Sequence, residues 1–286
     1  MKTKIISFIA LIMISMTAMS FMNKATNKSN MLIQSIDNTI SSTELLESAR
    51  IITARLKDFS SEKYKVTVIP EKYQIQVSGI NDKNLSAIEN LVTQKGSIHF
   101  YRAYSQSELF EHLNGNNQLF SNLNNKNVKS SDTRIGCVAA KEVGKVNELI
   151  NSTGQNLSCR YVWSDNSDST KVCLYALRLE HKKEALLSGG DLESVTFSQD
   201  KTSVYWHIDF SFKKTAVKTW SDITKQNINK SIAIVIDDKV ICAPVLRSVI
   251  ESGKCSITGN FTENDVKLIT AFGNHGELPV VFKVVR

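Results

Sequence analysis

The chain has 286 residues, of which 42% are hydrophobic and 22% are charged. These proportions are ordinary for a globular protein, and the length suits one large domain or two modest ones. The net charge of +7 is spread along the chain, without a block of lysines and arginines interleaved with aromatic residues. The composition therefore excludes the clustered basic surface that nucleic-acid binding requires.

The first residues have the pattern of an export signal. Lys2 and Lys4 precede an apolar run, and a small-residue site follows at Ala18–Ser20. We predict a cleaved signal peptide over residues 1–20. The alternative is an uncleaved anchor, because the apolar stretch to residue 22 is near the lower limit for a spanning helix. The protein is thus predicted to be exported, to the periplasm or cell envelope, and in the second case residues 5–22 tether it to the inner membrane.

The segment after the signal alternates between strand and helix periodicity. The predicted elements are a strand at 31–36, a helix at 43–58, a hairpin of strands 64–69 and 73–77, a helix that starts at Asn81 or Asp82 and stops at Gly96, and a strand at 97–104. The order β-α-β-β-α-β is that of the ferredoxin-like split unit. We therefore predict an α+β fold that begins with a ferredoxin-like sheet.

An asparagine-rich stretch, residues 105–129, then predicts a loop with one short helix at 108–113. The remaining predicted elements are a helix at 139–151, a hairpin of 157–163 and 171–179, strands at 193–197 and 204–212, a helix at 213–226, a hairpin at 232–242, a strand at 255–258, a helix at 263–272 and a strand at 279–285. Asp237 and Asp238 are predicted at the tight turn of the 232–242 hairpin, rather than in a cation site.

Five cysteines in an exported chain indicate disulfides, and the odd number leaves at least one thiol free in a monomer. If the cysteine-bearing hairpin turns at Asn166, Cys159 and Cys173 oppose each other at a distance that suits a disulfide. Cys242 and Cys255 form a weaker second pair, which leaves Cys137 as the free thiol. The alternative is that all five are small buried apolar residues.

The sequence lacks the usual signatures of catalysis. Its five histidines are scattered, and none has the spacing that would place two metal ligands on one helical face. No nucleophile elbow, phosphate-binding loop, dinucleotide fingerprint or CxxC pair occurs. We therefore predict no enzymatic activity, no catalytic or metal-binding residues and no cofactor.

Several strings carry a family resemblance. They are KVNEL at 145–149, LLSGGDL at 186–192, FSFKKTAVKTW at 210–220, SIAIVIDDKVICAPV at 231–245, GKCSITGNFT at 253–262, GELP at 276–279 and FKV at 282–284. In this order they resemble the first periplasmic, head-plus-base domain of the protein translocase subunits SecD and SecDF, in the form found in Bacteroidota. The motif positions are Asp237, Ala243, Pro244, Gly259, Phe261, Thr262, Gly276 and Pro279.

The resemblance implies a ferredoxin-like base that carries an inserted α+β head. The base is then expected over residues 31–104 plus 263–286, and the head over residues 105–262. In the family, this domain is thought to hold emerging preproteins by swinging between positions. The expected partners are exported unfolded polypeptides or components of the Sec translocase.

The chain also departs from the family pattern. Asp238 stands where the family has a turn glycine, and Cys242 and Cys255 are not family positions. The family continues from the GxLP string into a second membrane helix, whereas this sequence stops at Arg286. We therefore expect the chain-handling domain without the membrane helices and their proton-driven motor.

Three hypotheses follow for the function. The leading one is a non-enzymatic binding module that contacts exported chains or the translocase. The second is a structural cell-envelope protein that keeps the fold without the translocation role, since a fold does not by itself carry a function. The third is an enzyme centred on Cys137 as a nucleophile.

Overall fold

The computed structural model describes residues 28–37, 39–115, 118–124, 128–152, 159–164, 170–179, 185–200 and 204–285. The predicted export segment and the predicted turn centre at Asn166 lie outside these residues. Among the helices that are described, none is long and apolar enough to cross a membrane.

The described residues form an α+β structure with three sheets. Its strands are β1 (Lys28–Ser35), β2 (Lys65–Ile69), β3 (Gln74–Asn81), β4 (Ile98–Ala103), β5 (Arg134–Ala139), β6 (Cys159–Ser164), β7 (Lys171–Arg178), β8 (Leu187–Ser188), β9 (Leu192–Gln199), β10 (Trp206–Phe212), β11 (Ser231–Ile236), β12 (Lys239–Cys242), β13 (Lys254–Gly259) and β14 (Phe282–Val284). Its helices are α1 (Ser42–Phe59), α2 (Leu85–Thr93), α3 (Gln106–His112), α4 (Gln118–Ser121), α5 (Val143–Ser152), α6 (Lys214–Gln226) and α7 (Glu263–His275).

The first sheet has four antiparallel strands in the order β14-β1-β3-β2. Helix α1 starts where the sequence predicts, because Ser41 and Glu44 cap each other's backbone N–H groups in a capping box. Its apolar residues recur at helical spacing, so that Leu45, Ile52 and Leu56 are buried in the core beneath the sheet. Helices α2 and α7 pack beside α1.

The prediction for the last strand of this sheet is wrong. The stretch predicted as strand 97–104 does form β4, but β4 pairs with β11, β8 and β7 in a different sheet. The outer place beside β1 is taken by β14 from the end of the chain. A strand's own periodicity does not specify its partner, because pairing is decided by packing between segments that are distant in sequence.

The second sheet closes on itself. Strand β4 pairs with β11, β11 with β12, β12 with β6 and β6 with β7. Strand β7 then returns to β4 through the pair Ala103 and Leu177, and the Tyr104 N–H donates to the Ala176 carbonyl at 2.9 Å. The result is a five-stranded barrel, to which β5 and β8 add on the outside.

Small and branched side chains fill the barrel. The residues that face its interior are buried and form one cluster: Tyr101, Ala103, Val162, Leu177, Ala233, Val235 and Val240. Alternate residues on the same strands point outwards, as the period of two requires. The interior is therefore a packed core rather than a channel.

The third sheet is antiparallel, in the order β13-β10-β9. Its apolar face meets the outer face of the barrel through an aromatic cluster, in which the ring centroid of Phe100 lies 5.9 Å from Phe210, 5.3 Å from Phe212 and 6.0 Å from Trp220. These residues belong to the same core cluster as the inner face of the four-stranded sheet. One core thus joins all three sheets.

The asparagine-rich stretch contains more regular structure than predicted. The expected short helix is α3, and α4 follows it. Leu109 and Phe120 are buried with Ile135 and Leu174 in a separate cluster beside β5 and β7. These few buried apolar residues hold the segment against β5 and β7. The helical spacing of its apolar residues is hard to detect in the sequence because asparagines interrupt it.

The predicted disulfide between Cys159 and Cys173 is wrong, and so is the assignment of Cys137 as the free thiol. The structure bonds Cys173 to Cys137, which oppose each other on β7 and β5. Cys159 opposes Arg178 and has a buried free thiol. The physical reason is the pairing register. A turn centred on Asn166 would place Cys159 opposite Cys173, whereas β6 pairs with β7 in a register shifted by several residues.

The second predicted pair, Cys242 and Cys255, is not bonded in the structure. The two residues lie on β12 and β13, which belong to different sheets. Burial, followed by the neighbouring Cys255, raises the pKa of Cys242 to about 12. Burial also raises the pKa of Cys255 to about 12, so both thiols are protonated at neutral pH.

Candidate functional site

Two stretches of chain connect the four-stranded sheet and its helices to the rest of the molecule. One runs from the end of α2 through Lys95 to β4, and the other runs from Gly276 at the end of α7 to β14. They lie side by side, because the Leu278 N–H donates to the Lys95 carbonyl at 2.8 Å. The Lys95 ammonium also lies 3.5 Å from the Glu277 carboxylate. We call this region the junction.

Arg55 occupies the centre of the junction. It is fully buried on α1, and its guanidinium donates to four backbone carbonyls: Leu91 at 3.2 Å, Gln94 at 3.0 Å, Lys95 at 2.7 Å and Gly276 at 2.6 Å. The first of these carbonyls lie at the end of α2, where no intrahelical donor remains. Arg55 therefore ties both connecting stretches to α1.

The surroundings of Arg55 are compact. Its guanidinium carbon lies 4.6 Å from the centre of the Phe272 ring, in a cation–π contact. Burial lowers the pKa of Arg55 to about 10, while Asp237 acts in the opposite direction, so the side chain stays charged at neutral pH. Gly96 has a φ of +74°, and a Cβ there would lie 2.4 Å from the guanidinium. Only glycine fits this position.

Asp237 holds the junction from the other side. As predicted, Asp237 and Asp238 form the tight turn between β11 and β12, with φ values of 45° and 66°. The Asp237 carboxylate accepts the backbone N–H groups of Gly96 and Ser97, each at 2.8 Å. Its own N–H donates to the Ser97 carbonyl at 3.2 Å. The barrel hairpin thus clamps the stretch that leads out of α2.

A second polar group lies beside this turn. Asp238 forms an ion pair with Arg160, which also donates to the Tyr101 hydroxyl at 3.2 Å. The Tyr101 ring is 6.1 Å from His99 on the same strand. Burial lowers the pKa of His99, so the imidazole is neutral at pH 7.

A cleft of about 410 Å³ opens at the junction. Glycines contribute much of its wall, namely Gly96, Gly189, Gly190, Gly273 and Gly276. The polar side chains at its surface are those of Ser97, His99, Ser188, Lys213, Asn274 and Glu277. Exposed glycine backbone and polar side chains thus line the cleft together with the apolar side chains of Ile98, Leu192 and Phe272.

The charged groups at the cleft have partners. The Lys213 ammonium donates to the Gly190 carbonyl at 2.7 Å, Glu277 faces Lys95, and Ser188 is bonded to Asp191. The charged side chains that line the cleft are thus already paired within the protein. In the described part of the chain, no three His, Cys, Asp or Glu side chains are placed to hold a metal ion.

The structure brings several of the family-like strings together at this cleft. Gly189 and Gly190 come from the LLSGGDL string, Lys213 from FSFKK, and Gly276 from GELP. Asp237, from the IDDKV string, holds the cleft wall at Gly96 and Ser97. Pro279 lies on the exposed surface just beyond buried Leu278.

Other motif positions lie elsewhere. Ala243 packs at the edge of the barrel cluster, and the Pro244 carbonyl accepts the Ile232 N–H at 3.1 Å. Phe261 covers Gly259 next to β13, and Thr262 caps α7 through Asp265. These residues support the fold away from the cleft.

Sequence reasoning missed Arg55, which is the most connected side chain of the junction. It lies on α1 among residues whose spacing predicts only an amphipathic helix, although its position falls on the apolar face. The one signal in the sequence was that an arginine occupies a position on the apolar face of the helix, where a charged side chain needs buried hydrogen-bond partners. Its four acceptors lie up to 221 residues away in sequence, so no local sequence pattern predicts them.

Comparison with known proteins agrees with the resemblance. Residues 167–280 match the family described as SecDF, P1 head subdomain. The protein translocase subunit SecD of Rickettsia conorii is 36% identical over 107 residues, which are 37% of this chain and 20% of that protein. SecD of Mycobacterium tuberculosis is 27% identical over 125 residues, which are 41% of this chain and 22% of that protein. The chain thus spans about a fifth of the length of these relatives.

Solved structures show the same fold. The chain superposes on SecDF in a super-membrane-facing form with a TM-score of 0.58 and 17% identity, over 90% of this chain and 29% of that one. A second structure is described as a membrane component, SecDF, that enhances protein export. The chain superposes on it with a TM-score of 0.54 and 16% identity, over 90% of this chain and 98% of that one. The α+β fold is therefore similar to that of SecDF periplasmic domains.

Proposed function

We propose that this chain is a non-enzymatic component of protein export that acts on the outer side of the inner membrane. The observation that supports it most directly is the junction cleft, where strings that resemble SecD meet although they are distant in sequence. SecD relatives and SecDF structures support a role in protein translocation. The Bacteroidota-like character is part of this proposal, and so is export with cleavage after residue 20 or, alternatively, with residues 5–22 retained as a tether.

The architecture supports a division into base and head. We assign the four-stranded sheet with α1 and α2 to the base, because the order β14-β1-β3-β2 is that of a ferredoxin-like unit. The barrel and the three-stranded sheet form the head. Helix α7 contacts both α1 and β9, so it lies between the two parts.

The proposed ligand of the cleft is the backbone of an exported, unfolded polypeptide or of a Sec translocase component. Glycines let an extended chain approach closely, and satisfied charges make the cleft indifferent to the ligand's charged side chains. Such a site would accept many sequences, which is what a chain-handling protein requires.

Site-specific photo-cross-linking tests this proposal. A photoreactive phenylalanine analogue at Lys213 or Glu277, both exposed at the cleft, is expected to trap exported precursors or translocase subunits in the source cells. Lys83 is the matched control, because it is exposed before the first turn of α2 and far from the junction. Products that are absent, or that are the same from all three positions, would overturn the proposal.

A further inference from the structure

The two edges of the three-stranded sheet differ in how they are covered. At β9, the Asn274 side chain accepts the Val195 N–H at 2.7 Å and donates to the Val195 carbonyl at 3.1 Å. Helix α7 lies close against this strand, since a Cβ on Gly273 would lie 2.3 Å from the Val195 side chain. Helix α7 therefore covers the β9 edge around Val195.

The β13 edge is open, and the hydrogen-bond phase shows which of its backbone groups point outwards. The Phe212 N–H donates to the Gly253 carbonyl at 2.8 Å, so these opposed residues form a hydrogen-bonded pair. Bonded and non-bonded pairs alternate along an antiparallel ladder. The N–H and C=O groups of Lys254, Ser256 and Thr258 therefore point away from β10.

Among the described residues, these outward groups have no backbone partner. The side chains of Lys254, Ser256 and Thr258 are exposed as well, while Ile257 between them is buried. Strand β13 thus presents a regular row of free donors and acceptors over six residues.

The other sheet edges are shorter or guarded. Strand β8 has two residues and β14 has three. Strand β5 is bridged by Asn124, which exchanges backbone hydrogen bonds with Cys137 at 2.9 and 3.0 Å. Strand β2 has five residues and is followed directly by Pro70, which has no N–H. Proline is one of the residues by which proteins protect edges from pairing.

Apolar surface accompanies the open edge. Cys255 on the inner face of β13 and Phe261 just beyond it are partly exposed and pack against the main core. An additional strand would therefore lie beside the partly exposed apolar side chains of Cys255 and Phe261.

We propose that β13 is a strand-addition site, at which an extended segment of an exported polypeptide pairs with Lys254, Ser256 and Thr258. The inference rests on the proposed function, because it takes an unfolded exported chain as the partner. Backbone pairing supplies affinity with little dependence on sequence, and the flanking apolar surface favours segments with alternating apolar residues. The cleft and the β13 edge would then be two separate contacts for one chain.

The test uses a fluorescently labelled, reduced and carboxymethylated lactalbumin as a permanently unfolded probe, with native lactalbumin as the folded control. Fluorescence anisotropy measures its binding to the full chain. Ser256→Pro removes one outward N–H and no bond to β10, so we expect about tenfold weaker binding, which corresponds to the loss of about one hydrogen bond. Ser256→Ala keeps the N–H and should bind within about twofold of the wild type.

Hydrogen exchange on the wild-type chain gives a second readout that does not depend on a variant's folding. The probe is expected to slow amide exchange at Lys254, Ser256 and Thr258, while Cys255 and Ile257, already bonded to β10, change little. Binding that Ser256→Pro leaves intact, without protection of the three amides, would overturn strand addition and leave the proposed function standing. Failure of the wild-type chain to bind the probe would overturn strand addition together with the binding of unfolded chains, whereas the binding of translocase components is tested by the cross-linking experiment.

Discussion

Every strand of the barrel ring has a neighbour on both sides, because β7 bonds back to β4, whereas β9 and β13 in the three-stranded sheet each have one. Closure satisfies the barrel's backbone internally and fills its centre with side chains. In the three-stranded sheet, α7 covers part of the β9 edge, and the outward backbone groups of β13 have no backbone partner among the described residues. The two regions therefore differ in how many of their strands have a neighbour on both sides.

This difference between a closed barrel and an open sheet indicates where the backbone of a ligand can be recognised. A closed, filled barrel can contribute only its outer surface and its turns, such as the Asp237 clamp. An open sheet offers donors and acceptors directly. The contact that joins the two regions is the first place to test this contrast.

The largest effect is expected at Phe100, whose buried ring links the barrel to the aromatic face of the three-stranded sheet. Phe100→Ala should lower the free energy of unfolding by about 3–5 kcal/mol, because it leaves a cavity in a shared core. Urea denaturation followed by tryptophan fluorescence measures it. Phe110→Ala, at a ring that is 41% exposed, is the control and should cost much less. Equal losses would show that the joint core does not hold the two regions together.

The second largest loss of stability is expected at β5, the strand that is bonded to the barrel strand β7 from outside the ring. Replacing Cys137 and Cys173 with serine removes the link between β5 and β7, and we expect a loss of about 2–4 kcal/mol in the free energy of unfolding. Wild-type protein in reductant should lose a similar amount, whereas the double variant should not respond to reductant. Alkylation of all five cysteines in the unreduced, unfolded chain would contradict the assignment.

A smaller effect is expected at the covered edge. Asn274→Ala removes both side-chain hydrogen bonds to Val195 and should cost about 1–3 kcal/mol, because the freed N–H and C=O groups belong to a fully buried residue. Amide exchange at Val195 should accelerate with it. Asn274→Asp keeps the acceptor and loses the donor, so its cost should be intermediate. Unchanged exchange at Val195 in the alanine variant would show that α7 covers the edge without this side chain.

The smallest effect is a pH dependence at the junction. Burial lowers the pKa of His99 in the folded protein, so the unfolded chain binds its proton more readily. The contribution of His99 to stability is present above its ordinary pKa of 6.5 and decreases as the pH falls through that value. His99→Gln should therefore reduce the loss of stability between pH 7.5 and 5.5, measured by urea denaturation, with His112→Gln as the control. A steeper loss in the His99 variant would reverse the assigned sign.

Local signals predicted the helices well. The spacing predicts helices at 43–58 and 213–226, and the structure has them at Ser42–Phe59 and Lys214–Gln226. Caps and apolar periodicity act within a few residues, so they are visible in the sequence. The turn at Asp237 and Asp238 was predicted for the same reason.

Contacts between segments that are distant in sequence could not be predicted in this way. The partner of β4, the Cys137–Cys173 bond and the burial of Arg55 all depend on contacts between distant segments. The candidate site shares this dependence. Its motif strings were recognised in the sequence, but their meeting at one cleft was not.

The α+β class, most element positions, the tight turn of the β11–β12 hairpin and the resemblance to SecD could all be predicted from the sequence. The folded chain was needed to show which strand completes the four-stranded sheet, that the second sheet closes into a barrel, and which described backbone groups on β13 lack a backbone partner. Conformational preferences and caps are properties of a few neighbouring residues. Register, closure and burial are settled only when a whole core packs and every backbone donor finds, or fails to find, a partner.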